Sequence, residues 1–174
     1  MVIATATTDG AVAQFTDTLR LADYQHLNVL RFVADSAPMD GCQRTPLDLH
    51  NILPRLATDH RDRLTRWQIL TCEVYAAGRR LLETAMFHPE QTLHLYRIAE
   101  RENPEPTEQA VKVTFEVRPP AIICLTIASL LNCAGTAGLI VPYFEACSVI
   151  IGDEHHRYRS RYWLLRRPGS PTCG

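Results

Sequence analysis

The stretch from Pro119 to Ile151 limits the folds open to this chain more than any other. No charged side chain occurs between Arg118 and Glu145. Ile122, Ile123, Leu125, Ile127, Leu130 and Leu131 crowd its first half, and Leu139, Ile140, Val141, Tyr143 and Phe144 its second. The run reaches the roughly 20 apolar residues that a membrane-spanning helix needs. Thr126, Ser129, Asn132, Thr136 and Pro142 interrupt it, however, and Gly135 and Gly138 divide it. Two separate buried elements fit this pattern better than one span, so a membrane is not an expected partner.

Around this apolar centre, 174 residues leave room for one sizeable core. A hydrophobic content of 46% argues against general disorder. The formal charge of -1 rules out a polycation, so any nucleic-acid site has to be local. No basic-then-apolar leader opens the sequence. Cys42, Cys72, Cys124, Cys133, Cys147 and Cys173 show no compact recurring spacing. They read as reduced thiols of a cytoplasmic or nuclear protein rather than as a disulfide framework.

Taken in order, Val2-Ile3-Ala4 suggests a short edge strand and Asp9-Gly10 a turn. With Thr16 as N-cap and Asp17 in the first turn, a helix is expected to about Ala34. Its face is carried by Phe15, Leu19, Ala22, His26, Leu30 and Val33, broadened by Leu27, Val29 and Phe32. A linker over 39–46 and a short helix over 47–53 follow. Residues 59–87 have the strongest helical period. Leu64, Trp67, Thr71, Val74, Gly78, Leu81 and Ala85 trace its stripe, with Leu70, Ala77 and Leu82 beside it. Asp62–Arg66 and Arg79–Glu83 stand four apart, and as solvent-facing pairs they are worth roughly 0.2–0.5 kcal/mol each.

Pro89 opens a further predicted helix to about Arg101. Asn103 to Thr107 has the composition of a linker. Beyond it Val111, Val113, Phe115 and Val117 alternate with Lys112, Thr114, Glu116 and Arg118, the period of a half-exposed strand. Within the central run, 121–133 suggests a buried helix, and 139–144 and 146–151 suggest strands. Tyr158–Leu165 would return as a hairpin partner.

The expected fold is therefore α+β: a helical N-terminal half packed with a small, mostly antiparallel sheet from the C-terminal half. One domain is expected over 1–167, helix-rich through 101 and strand-rich from 109, with a flexible tail over 168–174.

Three groups of residues have chemical potential. Asp153, Glu154, His155 and His156 carry zinc-type donors, with Cys147, Cys133 or Cys124 as further candidates. Adjacent residues rarely all reach one ion, and the order lacks metalloprotease spacing, so they read as a solvated turn. Cys147, His155 and Asp153 have the residue types of a nucleophilic site but no nucleophile-elbow pattern. Gly135-Thr136-Ala137-Gly138 lacks the lysine and spacing of a phosphate loop, and reads as a tight connection. No catalytic residue, metal or cofactor is assigned.

Two functions remain. The first is a non-enzymatic regulatory or adaptor protein that works through protein–protein contact and self-associates as a homo-oligomer. Broad apolar helix faces motivate it, and Leu27, Leu30, Trp67, Leu70 and Val74 are its candidate contact residues. The alternative is nucleic-acid binding by the basic, aromatic C-terminal segment. There Arg157, Arg159, Arg161, Arg166 and Arg167 would meet phosphates, and Tyr158 or Trp163 would stack on bases. Single-stranded RNA is favoured over duplex DNA, because stacking needs exposed base faces.

Overall fold

The structure, a computed structural model, describes residues 1–22, 27–34, 41–88, 104–134, 143 and 147–153. Strand β1 (Val2–Ala6) leads to helix α1 (Asp9–Leu21), strand β2 (Val29–Arg31), and short helices α2 (Leu49–Ile52) and α3 (Leu56–Asp59). The long helix α4 (Arg66–Phe87) comes next, then α5 (Pro104–Val117), β3 (Ile122–Thr126), α6 (Ile127–Ala134) and β4 (Val149–Asp153).

The four strands form one sheet in the order β2-β3-β1-β4, and every pairing in it is parallel. The expected mostly antiparallel sheet is therefore wrong, as is its confinement to the C-terminal half. β1 contributes from the start of the chain and lies between β3 and β4, paired from Val2↔Ile122 to Ala6↔Thr126 on one side and from Val2↔Val149 to Ala6↔Asp153 on the other. The physical reason lies in how parallel strands are buried. β1, β2 and β3 are buried on both faces, so they lack the in-and-out alternation of apolar and polar residues used to look for strands.

Side chains alternate between these two faces. Ala4, Ala6, Val29 and Cys124 point to one side, where Val12 and Leu19 of α1 pack. Ile3, Leu30, Ile123 and Leu125 point to the other, against Leu49, Leu53, Tyr75 of α4, and Ala110 and Val111 of α5. Chain direction accounts for the division. From β1 the path moves two positions to reach β2, then reverses for β3 and again moves across β1 to β4. Right-handed crossovers in opposite directions place their helices on opposite faces.

Several local expectations change with this topology. Thr8, not Thr16, caps α1: its hydroxyl accepts from the Ala11 amide at 3.2 Å. Thr16 is buried inside that helix and donates to the Val12 carbonyl at 2.6 Å. The expected helix to Ala34 stops at Leu21, and its Val29–Arg31 portion is β2. The alternating segment 111–117 is helical: Ala110, Val113, Thr114 and Val117 form a buried stripe, and Pro104, read as part of a linker, occupies the first helical position. The expected buried helix over 121–133 divides into β3 and α6. Tyr158–Leu165, the loop at 135–138, the 89–101 helix and most of 139–144 lie outside the described residues. Among the described residues no helix is long and apolar enough to cross a membrane.

Candidate functional site

α4 owes its start to Thr65. The Thr65 hydroxyl accepts from the Gln68 amide at 3.3 Å, and the Gln68 side-chain carbonyl accepts from the Thr65 amide at 2.9 Å, a reciprocal cap. The Gln68 side-chain amide also donates to Glu116 at 2.9 Å, fastening the first turn of α4 to the end of α5. Inward, α4 turns Thr71, Cys72, Tyr75, Ala76, Arg79, Leu82 and Ala85. This face is rotated from the predicted stripe. Arg79, read as solvent-facing, is buried and keeps its pair with Glu83 at 3.1 Å.

The rotation leaves an apolar stripe outside. Trp67 is 69% exposed, Leu70 50% and Val74 49%; Ala77 continues the line. Their three-four-three spacing keeps them on one side of the helix. Beside them a groove of about 490 Å³ runs between α4 and the start of α5. Leu70, Thr71 and Val74 line one side of it, and Glu105, Pro106 and Gln109 the other. Arg66 and Glu73 are exposed on the same helix, and neither makes an ion pair among the described residues. Of the five contact residues read from the sequence, the structure thus brings Trp67, Leu70 and Val74 together. Leu30 is buried in the sheet, on the inner side of α4, and Leu27 packs on the α1 face.

A second concentration of polar groups was not foreseen. Arg31, at the end of β2, has no solvent exposure. Its guanidinium donates to Asp48 Oδ1 at 3.2 Å, the Gln43 carbonyl at 2.7 Å, the Asp9 carbonyl at 3.3 Å and Cys42 Sγ at 2.9 Å. Asp48 is also held by the amide and hydroxyl of Thr45, at 2.8 and 2.6 Å. The arrangement ties segment 42–48 to β2 and to the first turn of α1. One sequence signal points to it: a lone charge within the apolar run Val29 to Val33. In a sheet buried on both faces such a charge has to find a partner.

Other candidate groups are occupied by packing. Both ring nitrogens of His50 have partners, Tyr75 OH at 3.3 Å and the Val33 carbonyl at 2.9 Å. Burial, with Glu73 adding to it, pushes the Cys72 thiol up to about 11. Burial also pushes the Cys124 thiol up to about 11, against smaller opposing effects of the Thr16 hydrogen bond and the Arg31 charge. Both thiols stay protonated near neutrality and are poor nucleophiles there. Cys147 is partly exposed, and its thiol faces the Val149 carbonyl at 3.3 Å. Its sequence companions Glu154, His155 and His156, and the whole basic segment Arg157, Tyr158, Arg159, Arg161, Trp163, Arg166 and Arg167, lie outside the described residues.

At the opposite edge of α5, Phe115 stacks on Tyr143 with ring centroids 3.8 Å apart. These two rings line a second groove of about 430 Å³ with Lys112, Pro119 and Pro120. The α4 groove differs in having a row of exposed apolar side chains, Trp67, Leu70 and Val74, along its rim. Neither a protein-family model nor a curated protein matches this sequence.

Proposed function

We propose that this is a non-enzymatic adaptor that works through protein–protein contact and self-associates through the outer stripe of α4. One observation carries the reading: Trp67, Leu70 and Val74 stand exposed in a row beside an apolar groove, on a helix capped and braced to hold them in place. Isolated exposed apolar side chains are ordinary, whereas a contiguous row with an aromatic at its end has the character of a contact surface. A second copy of the chain is the partner to which this surface is assigned. The buried free thiols Cys72 and Cys124 suit a reducing compartment, in keeping with a cytoplasmic or nuclear site of action.

Sedimentation of the intact protein over a wide concentration range tests this. The mass should climb from 19.7 kDa toward twice that value. Trp67→Asp, which places a charge on the exposed stripe without touching the core, should hold the protein at the monomer mass. A monomer at every concentration in the unaltered protein would reject self-association.

A further inference from the structure

The surface of α4 has a property beyond being apolar: it is complementary to itself. Trp67, Leu70, Val74 and Ala77 repeat with the three-four spacing of a helix-pairing seam. Arg66 and Glu73 are seven residues apart and so lie on one flank of that seam, with Leu70 close to their midpoint. Trp67 and Val74 have the same separation on the other flank, the one that borders the groove with α5.

We infer that α4 pairs antiparallel with α4 of a second copy, about a two-fold axis passing beside Leu70. This rests on the reading of α4 as a contact surface and adds the register. A two-fold axis lying across the helix reverses its direction but keeps each flank on its own side. Leu70 then meets the partner's Leu70. Arg66 comes opposite the partner's Glu73, and the same pairing recurs by symmetry at the other end. Trp67 comes over the partner's Val74, at the mouth of the groove between α4 and α5. Each copy thus supplies one projecting indole and receives another. Charge supports a second copy over a generic apolar partner: Arg66 and Glu73 lack ion-pair partners among the described residues, and this register pairs both at once. In a parallel pair the two-fold axis runs along the helices and exchanges the flanks, so Arg66 and Glu73 would face the partner's Trp67 and Val74 flank and neither charge would gain a counter-charge.

Charge reversal tests the register. Arg66→Glu sets two glutamates against each other at both ends of the interface, and Glu73→Arg sets two arginines. Each variant alone should weaken the dimer about tenfold or more. Glutamate in the first turn of α4 suits the helix dipole, so Arg66→Glu does not weaken the helix itself. Mixed in equal amounts, the two variants should form a heterodimer close to the unaltered protein in Kd, since every facing pair is again opposite in sign. Arg20→Glu on α1 serves as a charge control and should leave Kd unchanged. Three measurements separate the outcomes. Loss in each variant and recovery on mixing supports the register. A dimer abolished by Trp67→Asp but indifferent to both charge reversals overturns the register while leaving α4 as the contact surface. A protein that stays monomeric, or a dimer indifferent to Trp67→Asp, overturns both.

Discussion

Arg31 is the residue on which the sheet edge depends. Its guanidinium is fully buried, and Asp48 is its counter-charge. Buried pairs of this kind contribute little over a well-packed apolar substitute, but removing one partner is costly because a naked charge remains. Asp48→Asn keeps the shape and removes the charge. It should cost about 3–5 kcal/mol in urea unfolding; a loss below about 0.5 kcal/mol would mean that the carbonyls of Asp9 and Gln43 suffice for Arg31. The buried thiols give a second residue-level expectation. In the folded protein Cys72 and Cys124 hold their protons to about 11, whereas the ordinary thiol value is 9.0. Between those values the folded state binds more protons than the unfolded state, so stability is fully present below about 9 and falls as pH rises toward about 11. The urea midpoint of the unaltered protein should therefore drop across that window more steeply than that of the Cys72→Ala, Cys124→Ala variant. Parallel pH profiles for the two proteins would show that these thiols are not the source.

At the scale of elements, α4 is the part best read from sequence, and its limits are instructive. Its period placed a long helix over 59–87, and the structure has one over Arg66–Phe87. The helix starts later than its period suggests because the Thr65–Gln68 pair satisfies two amide donors at once, and the preceding residues coil into shorter turns. Thr65→Ala should cost about 1 kcal/mol, seen as a lower urea midpoint with an unchanged slope. What the period could not supply was the rotation of the helix. By period alone Trp67 and Val74 fit an inward stripe, whereas in the structure Tyr75 and Cys72 face the core. The same ambiguity misread α5. Its alternating valines have period two, yet Ala110, Val113, Thr114 and Val117 also keep helical spacing, and packing against α4 selects the latter. Within β3, Ile122, Ile123, Cys124 and Leu125 are a continuous apolar run, for which periodicity cannot separate a buried strand from a buried helix. Arg66 and Glu73 are legible as charges; their position beside the exposed stripe follows only from the rotation.

Across the whole molecule the topology puts the first strand at the centre and its partners near the other end of the chain. β1 has β3 on one side and β4 on the other, and Ile3 sits on Ile123, Leu125 and Tyr75 in the larger core. A strand in this position cannot fray as chain ends ordinarily do. Opening it breaks both ladders and exposes the two faces together, so its amides should exchange only when the whole domain unfolds. The expected result of native-state hydrogen exchange is that the amides of Ile3, Ala4 and Thr5 share the highest opening free energy in the protein, above those of α1 and of the turns over 41–48. Ile3→Ala should lower that shared value by about 2–5 kcal/mol, because the void lies between the sheet and α4 where neither can close in. Segments protected by the same global opening, β3 and the inner face of α4 among them, should fall by the same amount. Fast exchange at Ile3 to Thr5, or a mutant whose loss is confined to β1 while β3 and α4 keep their protection, would show that the first strand is an accessory to the sheet instead of its centre.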